Sequence, residues 1–223
     1  DEDRLKQILK SDNLFTILSP KQTFDELILP SEMKNTIRYG LGQYEKNVDA
    51  VLNDWGLYDT TMDVIGKATT NMEPGLLMLF SGVPGTGKTF AAGAIAKALG
   101  KNMLITDVSK VQSMWVGESE KNVRRIFTLF ERVVRRTENP PVLLLNEADQ
   151  FLTHRLKDTG SSVDVMFNSL QNLFLEAFEK LRGVLIATTN FKDNLDTAFS
   201  RRFHLKLDFP IPGKPEQKAL WRL

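Results

Sequence analysis

Apolar residues follow two distinct patterns along this chain of 223 residues, and each pattern predicts a different kind of element. Unbroken apolar runs bounded by turn residues predict buried strands. These runs are Leu76–Phe80, Met103–Thr106, Val142–Leu145, Val184–Ala187 and Leu205–Phe209. Between them, apolar residues recur every three or four positions, which predicts helices. The predicted helices lie near Lys88–Leu99, Glu118–Arg135 and Ser162–Leu181.

This alternation of strand and helix predicts a parallel sheet. Parallel strands need crossover connections, and helices on both faces of the sheet explain strands that are apolar throughout. We therefore expect an α/β fold with three layers, a helical layer on each side of a five-stranded parallel sheet.

The two ends of the chain have different patterns from the middle. An apolar stripe runs from Met33 to Trp55 with helical spacing, which predicts a long helix beginning at Ser31. We expect residues 1–74 to form a helical N-terminal extension packed on a core of residues 75–214. Residues 215–223 resemble the start of another amphipathic helix that the chain does not complete.

Composition excludes several classes of protein. The chain has no Cys, so it has no disulfide bonds, and its two His residues form no zinc-binding pattern. A net charge of +1 is too small for the broad cationic surface that binds nucleic acid by neutralising phosphates. No apolar run approaches the ~20 residues that cross a bilayer, and the N-terminus lacks a secretory signal. These features predict a cytoplasmic protein, here a fragment of a longer chain.

A glycine-rich loop follows the first strand. Its residues are Gly82, Val83, Pro84, Gly85, Thr86, Gly87, Lys88 and Thr89, which fit the pattern G-x-x-x-x-G-K-[ST] and lead into an Ala-rich helix. Glycines let backbone N–H groups surround phosphates, and the helix N-terminus attracts the same negative charge. Lys88 can contact the β- and γ-phosphates, and the Thr89 hydroxyl suits Mg²⁺. A glycine turn that only caps a core helix is the alternative, but strand, loop, Lys-Thr and helix coincide.

Polar residues follow two other strands. Asn146 and Glu147 come after the third strand, and Asn190 comes after the fourth. The carboxyl ends of parallel strands meet at the edge where α/β proteins bind ligands. A carboxylate such as Glu147 could deprotonate water for attack on a γ-phosphate, and an amide such as Asn190 could contact the phosphate and that water. An Asn after a strand is otherwise a common turn residue.

These motifs resemble those of the AAA ATPases in the AAA+ superfamily, over about residues 23–214. The resemblance implies a P-loop fold with strand order 5-1-4-3-2, with Glu147 as the catalytic residue and Asn190 as sensor 1. The chain departs from the family at Asn146, where the family has an Asp that helps to hold hydrated Mg²⁺. An amide can accept hydrogen bonds from metal-bound water, but it supplies no charge.

The resemblance also assigns two arginines. Family members place arginine fingers before the fifth strand and insert them into the neighbouring subunit's site, where a guanidinium stabilises the transferring phosphoryl group. Arg201 matches the first finger and Arg202 the second, although adjacent side chains of an extended segment point in opposite directions. The Pro-Gly insert that usually separates them is absent. An arginine pair in a surface salt bridge is the alternative reading.

Two further segments gain a role from the resemblance. Trp115, Val116 and Gly117 lie in the loop that grips the substrate chain in the central pore of peptide-threading members. A loop Trp that folds back on its own domain is the alternative. Leu27 and Ile28 match a segment that lies beside the adenine, although an apolar run before Pro also suits plain packing.

The motifs and the family resemblance together imply Mg²⁺-dependent ATP hydrolysis, with ADP as product, and the resemblance implies a ring that is expected to be hexameric. The ring would remodel or thread a protein or peptide substrate. One alternative is a nucleotide-gated scaffold in which Asn146 makes hydrolysis slow or absent. A second is a DNA-directed AAA+ loader or helicase, which the nearly neutral charge disfavours.

Overall fold

A computed structural model describes residues 2–9, 13–45, 75–108, 118–152, 162–191 and 195–221. The helices are α1 (Glu2–Leu9), α2 (Ser31–Glu45), α3 (Lys88–Ala98), α4 (Glu118–Arg136), α5 (Asp149–Leu152), α6 (Ser162–Lys180), α7 (Thr197–Ser200) and α8 (Lys214–Leu220). The strands are β1 (Thr16–Leu18), β2 (Leu76–Ser81), β3 (Met103–Asp107), β4 (Val142–Asn146), β5 (Val184–Thr189) and β6 (Leu205–Asp208).

The six strands form one sheet in the order β1-β3-β4-β5-β2-β6. The last five strands of the chain are parallel to one another, and β1 pairs antiparallel with β3. Numbered among themselves, the five parallel strands have the predicted order 5-1-4-3-2. The α/β P-loop fold is therefore confirmed.

The expectation of a sheet with only five strands was wrong, because β1 adds a sixth at the outer edge of β3. This strand has three residues and comes from the segment predicted to be a helical extension. A strand this short shows no periodicity of its own, and only its pairing with β3 defines it. The long helix predicted from Ser31 is described as α2 up to Glu45, and the rest of that prediction lies outside the described residues.

The sheet separates two apolar layers. Alternate residues of β2 point to opposite faces, so that Leu77 and Leu79 pack with α4 and α6, whereas Met78 and Phe80 pack with α2 and α3. Both faces are covered, which explains why β2 and β5 are buried along their whole length. The three predicted layers are present. Polar side chains are then accommodated at the ends of the strands, where the candidate site lies.

Candidate functional site

The glycine-rich loop connects β2 to α3 at the carboxyl edge of the sheet. Gly82 has a φ of 145°, and a Cβ at this position would lie 2.4 Å from the backbone O of Phe209. The backbone of Phe209 also donates a 2.7 Å hydrogen bond to O of Ser81, which ties β6 to the start of the loop. Gly87 precedes α3 in the left-handed conformation, with φ of 88°. The loop path therefore requires glycine at both positions.

Lys88, the first residue of α3, crosses back over the loop and is buried. Its Nζ donates hydrogen bonds to O of Gly82 (2.5 Å), to O of Val83 (3.1 Å) and to Oδ1 of Asn190 (3.0 Å). Burial lowers the pKa of the Lys88 ammonium, and the nearby Asp149 carboxylate partly opposes this shift. The loop and the end of β5 thus meet at one ammonium group.

Asn190 follows β5 and lies between two charged groups. Its Oδ1 accepts from Lys88, its Nδ2 donates to Oδ2 of Asp149 (3.0 Å), and its backbone N–H donates to Oδ1 of Asp149 (2.6 Å). The structure therefore brings the predicted sensor residue and the predicted P-loop lysine into direct contact. Asp149, which follows β4, joins the same group of side chains.

The turn after β4 is held by Thr188 of β5. The backbone N–H of Glu147 donates to Oγ1 of Thr188 (3.1 Å), and that hydroxyl donates to Oδ1 of Asn146 (3.1 Å). The backbone N–H of Ala148 donates to O of Thr188 (2.9 Å). Glu147 has a positive φ of 54°, which costs a residue with a side chain roughly 1–3 kcal/mol. The turn leaves the Glu147 side chain exposed at the edge of the sheet.

The chemistry of these groups fits a bound Mg-nucleotide. A glycine loop at a helix N-terminus offers backbone N–H groups to phosphates, and the Lys88 ammonium adds a positive charge. The Thr89 side chain is exposed beside Lys88, and its hydroxyl oxygen is of the kind that Mg²⁺ prefers. Pro84, Gly85 and Thr86 complete the loop, and Thr86 Oγ1 donates to O of Val83 at 2.9 Å.

The two residues predicted to lie beside the adenine differ in burial. Leu27 is 3% exposed and packs with the apolar layer that contains α2 and α3, whereas Ile28 is half-buried. Leu27 therefore contributes to the core, and Ile28 has free surface left. The pore-loop residues Trp115, Val116 and Gly117 lie outside the described residues.

The two predicted finger arginines have different surroundings. Arg201 follows α7 and is exposed. The Arg202 guanidinium is half-buried, donates to O of Ala198 (2.8 Å) and forms an ion pair with Glu179 of α6. Arg202 thus anchors α7 to α6 within its own chain, which leaves Arg201 as the guanidinium presented to solvent.

Sequence reasoning missed the roles of Asp149 and Thr188 in this site. The motifs assign no catalytic or binding role to Asp149, yet both of its oxygens bond the predicted sensor residue. Thr188 lies at the end of an otherwise apolar run, and no motif in the sequence marks it as part of the site. Three polar residues within four positions after β4 were the available hint at Asp149.

Comparison with known proteins agrees with this geometry. The family model for the ATPase family associated with various cellular activities (AAA) matches residues 78–211. This match covers more than half of the chain and includes the glycine loop, the ends of β4 and β5 and both arginines. The chain belongs to the AAA family, and the predicted enzyme class, an ATP hydrolase, is confirmed.

Three relatives illustrate the similarity. The chain is 30% identical to cell division protein C of Sulfolobus acidocaldarius over 64% of this chain and 39% of that protein. It is 32% identical to the proteasome-activating nucleotidase of Methanosarcina mazei over 66% of this chain and 35% of that protein. It is 35% identical to the cell division cycle protein 48 homolog of Archaeoglobus fulgidus over 67% of this chain and 20% of that protein. The chain thus matches well under half the length of each relative.

Among the residues that the structure describes, every helix is too short or too polar to traverse a lipid bilayer.

The contrast between the two arginines leads to a prediction about stability. Arg202→Ala removes a hydrogen bond and a partly exposed ion pair, so we expect a loss of about 1–2 kcal/mol in the free energy of unfolding. Arg201→Ala, the matched control one residue away, should change stability by less than about 0.5 kcal/mol. Urea denaturation of both variants measures the difference. Equal losses would contradict the assignment of Arg202 as the anchor of α7.

Proposed function

We propose that this chain is the ATP-hydrolysing domain of a ring-shaped AAA ATPase that remodels or threads protein substrates. The observation that supports this most directly is the 3.0 Å hydrogen bond between Lys88 Nζ and Asn190 Oδ1. It joins the phosphate loop to the sheet edge that carries Glu147. A γ-phosphate held by the loop would therefore be within reach of the groups that hydrolysis requires.

Each polar residue of the site receives a role. Lys88 and the backbone of the loop hold the phosphates, and Thr89 together with Asn146, acting through water, holds Mg²⁺. When bound, Mg²⁺ neutralises negative charge on the phosphate oxygens. Glu147 is the general base that orients and deprotonates the attacking water. Asn190 contacts the γ-phosphate, and Ile28 lies beside the adenine with Leu27 packed behind it.

Arg201 is proposed to complete the site of a neighbouring subunit. Its exposure and its position after α7 leave the guanidinium available to another chain, and a finger supplied in trans makes hydrolysis depend on assembly. A hexameric homo-oligomer is the ring we propose. Arg202 supports Arg201 by anchoring α7, and a direct catalytic contact of Arg202 is the weaker proposal.

The proposed substrate is a protein or peptide rather than nucleic acid. Trp115 offers a large contact area that tolerates any sequence, and Gly117 would let the loop move with the nucleotide state. One relative is named a proteasome-activating nucleotidase, and this name supports a protein rather than a nucleic acid as the partner. The nearly neutral net charge of +1 also disfavours a nucleic-acid partner. We place this activity in the cytoplasm.

The roles of Lys88 and Glu147 can be separated by two variants. ATP at about 100 times its Kd should raise the melting temperature of the wild type by roughly 5–10 °C. Lys88→Ala should lose this rise, whereas Glu147→Gln should keep it and lose at least about 100-fold in turnover. Lys97→Ala, the same change in the last turn of α3, is the control and should behave as wild type. An unchanged ATP-induced rise in Lys88→Ala would refute the phosphate role.

Complementation in mixed rings tests the finger. Arg201→Ala and Lys88→Ala should each be nearly inactive, the first for lack of a finger and the second for lack of bound nucleotide. In a 1:1 mixture, about one interface in four would pair an intact Lys88 with an intact Arg201 from the next subunit. Turnover should therefore recover to about a quarter of the wild-type rate. A mixture that is no more active than the single variants would exclude a finger in trans.

A nucleotide-gated scaffold is the second candidate, and the hydrogen bond of Asn146 favours it. Because Asn146 Oδ1 already accepts from the Thr188 hydroxyl, only one of its two lone pairs is left for metal-bound water, and the Nδ2 donor suits that water poorly. Weak binding of Mg²⁺ would slow hydrolysis.

The variant Asn146→Asp distinguishes the two candidates. A carboxylate can still accept from Thr188 and adds the negative charge that hydrated Mg²⁺ attracts, so the Mg²⁺ concentration for half-maximal turnover should fall about tenfold. Asn102→Asp, the same change just before β3 at the opposite end of the sheet, should leave the Mg²⁺ dependence unchanged. An unaltered Mg²⁺ dependence in Asn146→Asp would show that the amide does not limit metal binding.

A further inference from the structure

Asp149 uses both of its carboxylate oxygens on a single residue. Oδ1 accepts from the backbone N–H of Asn190 at 2.6 Å, and Oδ2 accepts from Nδ2 of Asn190 at 3.0 Å. Asp149 is half-buried as the first residue of α5, and Asn190 follows β5 on the neighbouring strand. The contact therefore connects the ends of β4 and β5 through side chains.

This contact determines which way the Asn190 amide faces. A carboxylate accepts hydrogen bonds and cannot donate, so the amide must turn its Nδ2 donor toward Asp149. Its Oδ1 acceptor then faces the Lys88 ammonium, a group that can only donate. Rotating the amide by half a turn would place an acceptor against an acceptor on one side and a donor against a donor on the other. The orientation is thus defined by charge at both ends.

We propose that Asp149 is a positioning residue, which holds the Asn190 amide with Oδ1 toward Lys88 and leaves the second N–H of Nδ2 to donate to the γ-phosphate. This inference rests on the proposed function of ATP binding and hydrolysis. Asp149 does not touch the nucleotide itself, and it acts through Asn190. Its charge also opposes the lowering of the Lys88 pKa by burial.

The isosteric variant Asp149→Asn tests the proposal. Its Oδ1 can still accept from the backbone of Asn190, but its Nδ2 then faces the Nδ2 of Asn190, donor against donor. The Asn190 amide loses its defined orientation. We expect the preference for a non-hydrolysable ATP analogue over ADP to fall roughly ten- to hundredfold, with a similar fall in turnover. The two affinities can be measured by direct titration, without hydrolysis.

A double-mutant cycle separates positioning from a general structural effect. In an Asn190→Ala background there is no amide left to orient, so Asp149→Asn should change the ATP-analogue preference by less than about twofold. A change as large as in the wild-type background would show that Asp149 acts independently of Asn190 and would overturn the proposal. An unchanged preference in the single Asp149→Asn variant would also overturn it.

Two controls cover charge and folding. Glu176→Gln removes one carboxylate from an exposed ion pair on α6 and should retain the wild-type preference. The exchange variant Asp149→Asn with Asn190→Asp keeps a donor facing an acceptor in each of the three hydrogen bonds. It should melt within about 2 °C of the wild type even where Asp149→Asn alone is unstable. An exchange variant that melts below both single variants would contradict the proposed pairing.

Failure of this inference differs from failure of the proposed function. A wild-type chain that gains no thermal stability from ATP would contradict both the proposed function and the proposed role of Asp149. A wild type that prefers the ATP analogue, combined with an Asp149→Asn variant of equal preference and a Lys88→Ala variant that binds no ATP, would remove only the role of Asp149.

Discussion

Parallel pairing of β4, β5 and β2 is the constraint on which the site depends. Ala187 of β5 pairs with Leu145 of β4 on one side and with Leu79 of β2 on the other, so the three strands are in register near their carboxyl ends. The residues that directly follow these three strands in the chain therefore lie at one edge of the sheet, the carboxyl edge. The glycine loop, the turn at Glu147 and the amide of Asn190 are brought together because the strands that precede them run side by side.

Apolar layers on both faces of the sheet make this edge the place for polar groups. Inside the sheet, a polar side chain without a partner would cost roughly 1–3 kcal/mol, and most strand residues are accordingly apolar. Thr188 is an informative exception, because its hydroxyl accepts from Glu147 and donates to Asn146. A buried polar residue thereby holds the turn that presents the proposed general base.

Charge balance explains why the site can bury a lysine. The Lys88 ammonium is removed from most solvent contact, which by itself disfavours the charged form. Two carbonyl groups, the Asn190 amide and the Asp149 carboxylate behind it compensate for the lost water. The hydrogen bonds from Lys88 to Asn190 and from Asn190 to Asp149 let the carboxylate stabilise the ammonium from a distance. The carboxylate therefore does not occupy the place where a phosphate would bind. Direct contact between a carboxylate and the phosphate site would repel the ligand.

The sequence by itself determined the fold class, the five parallel strands, the phosphate loop and the family, because these depend on local patterns: apolar runs, helical spacing and a contiguous glycine motif. It also indicated that Asn146, Glu147 and Asn190 would share an edge, since strand ends in a parallel sheet meet there. Only the tertiary structure decided the rest. It added β1, which exists through pairing with β3, and it distinguished the exposed Arg201 from the anchored Arg202. It also joined Asp149 to Asn190 across 41 positions of the chain, a contact that no local pattern encodes because it depends on the distance between two strand ends in space.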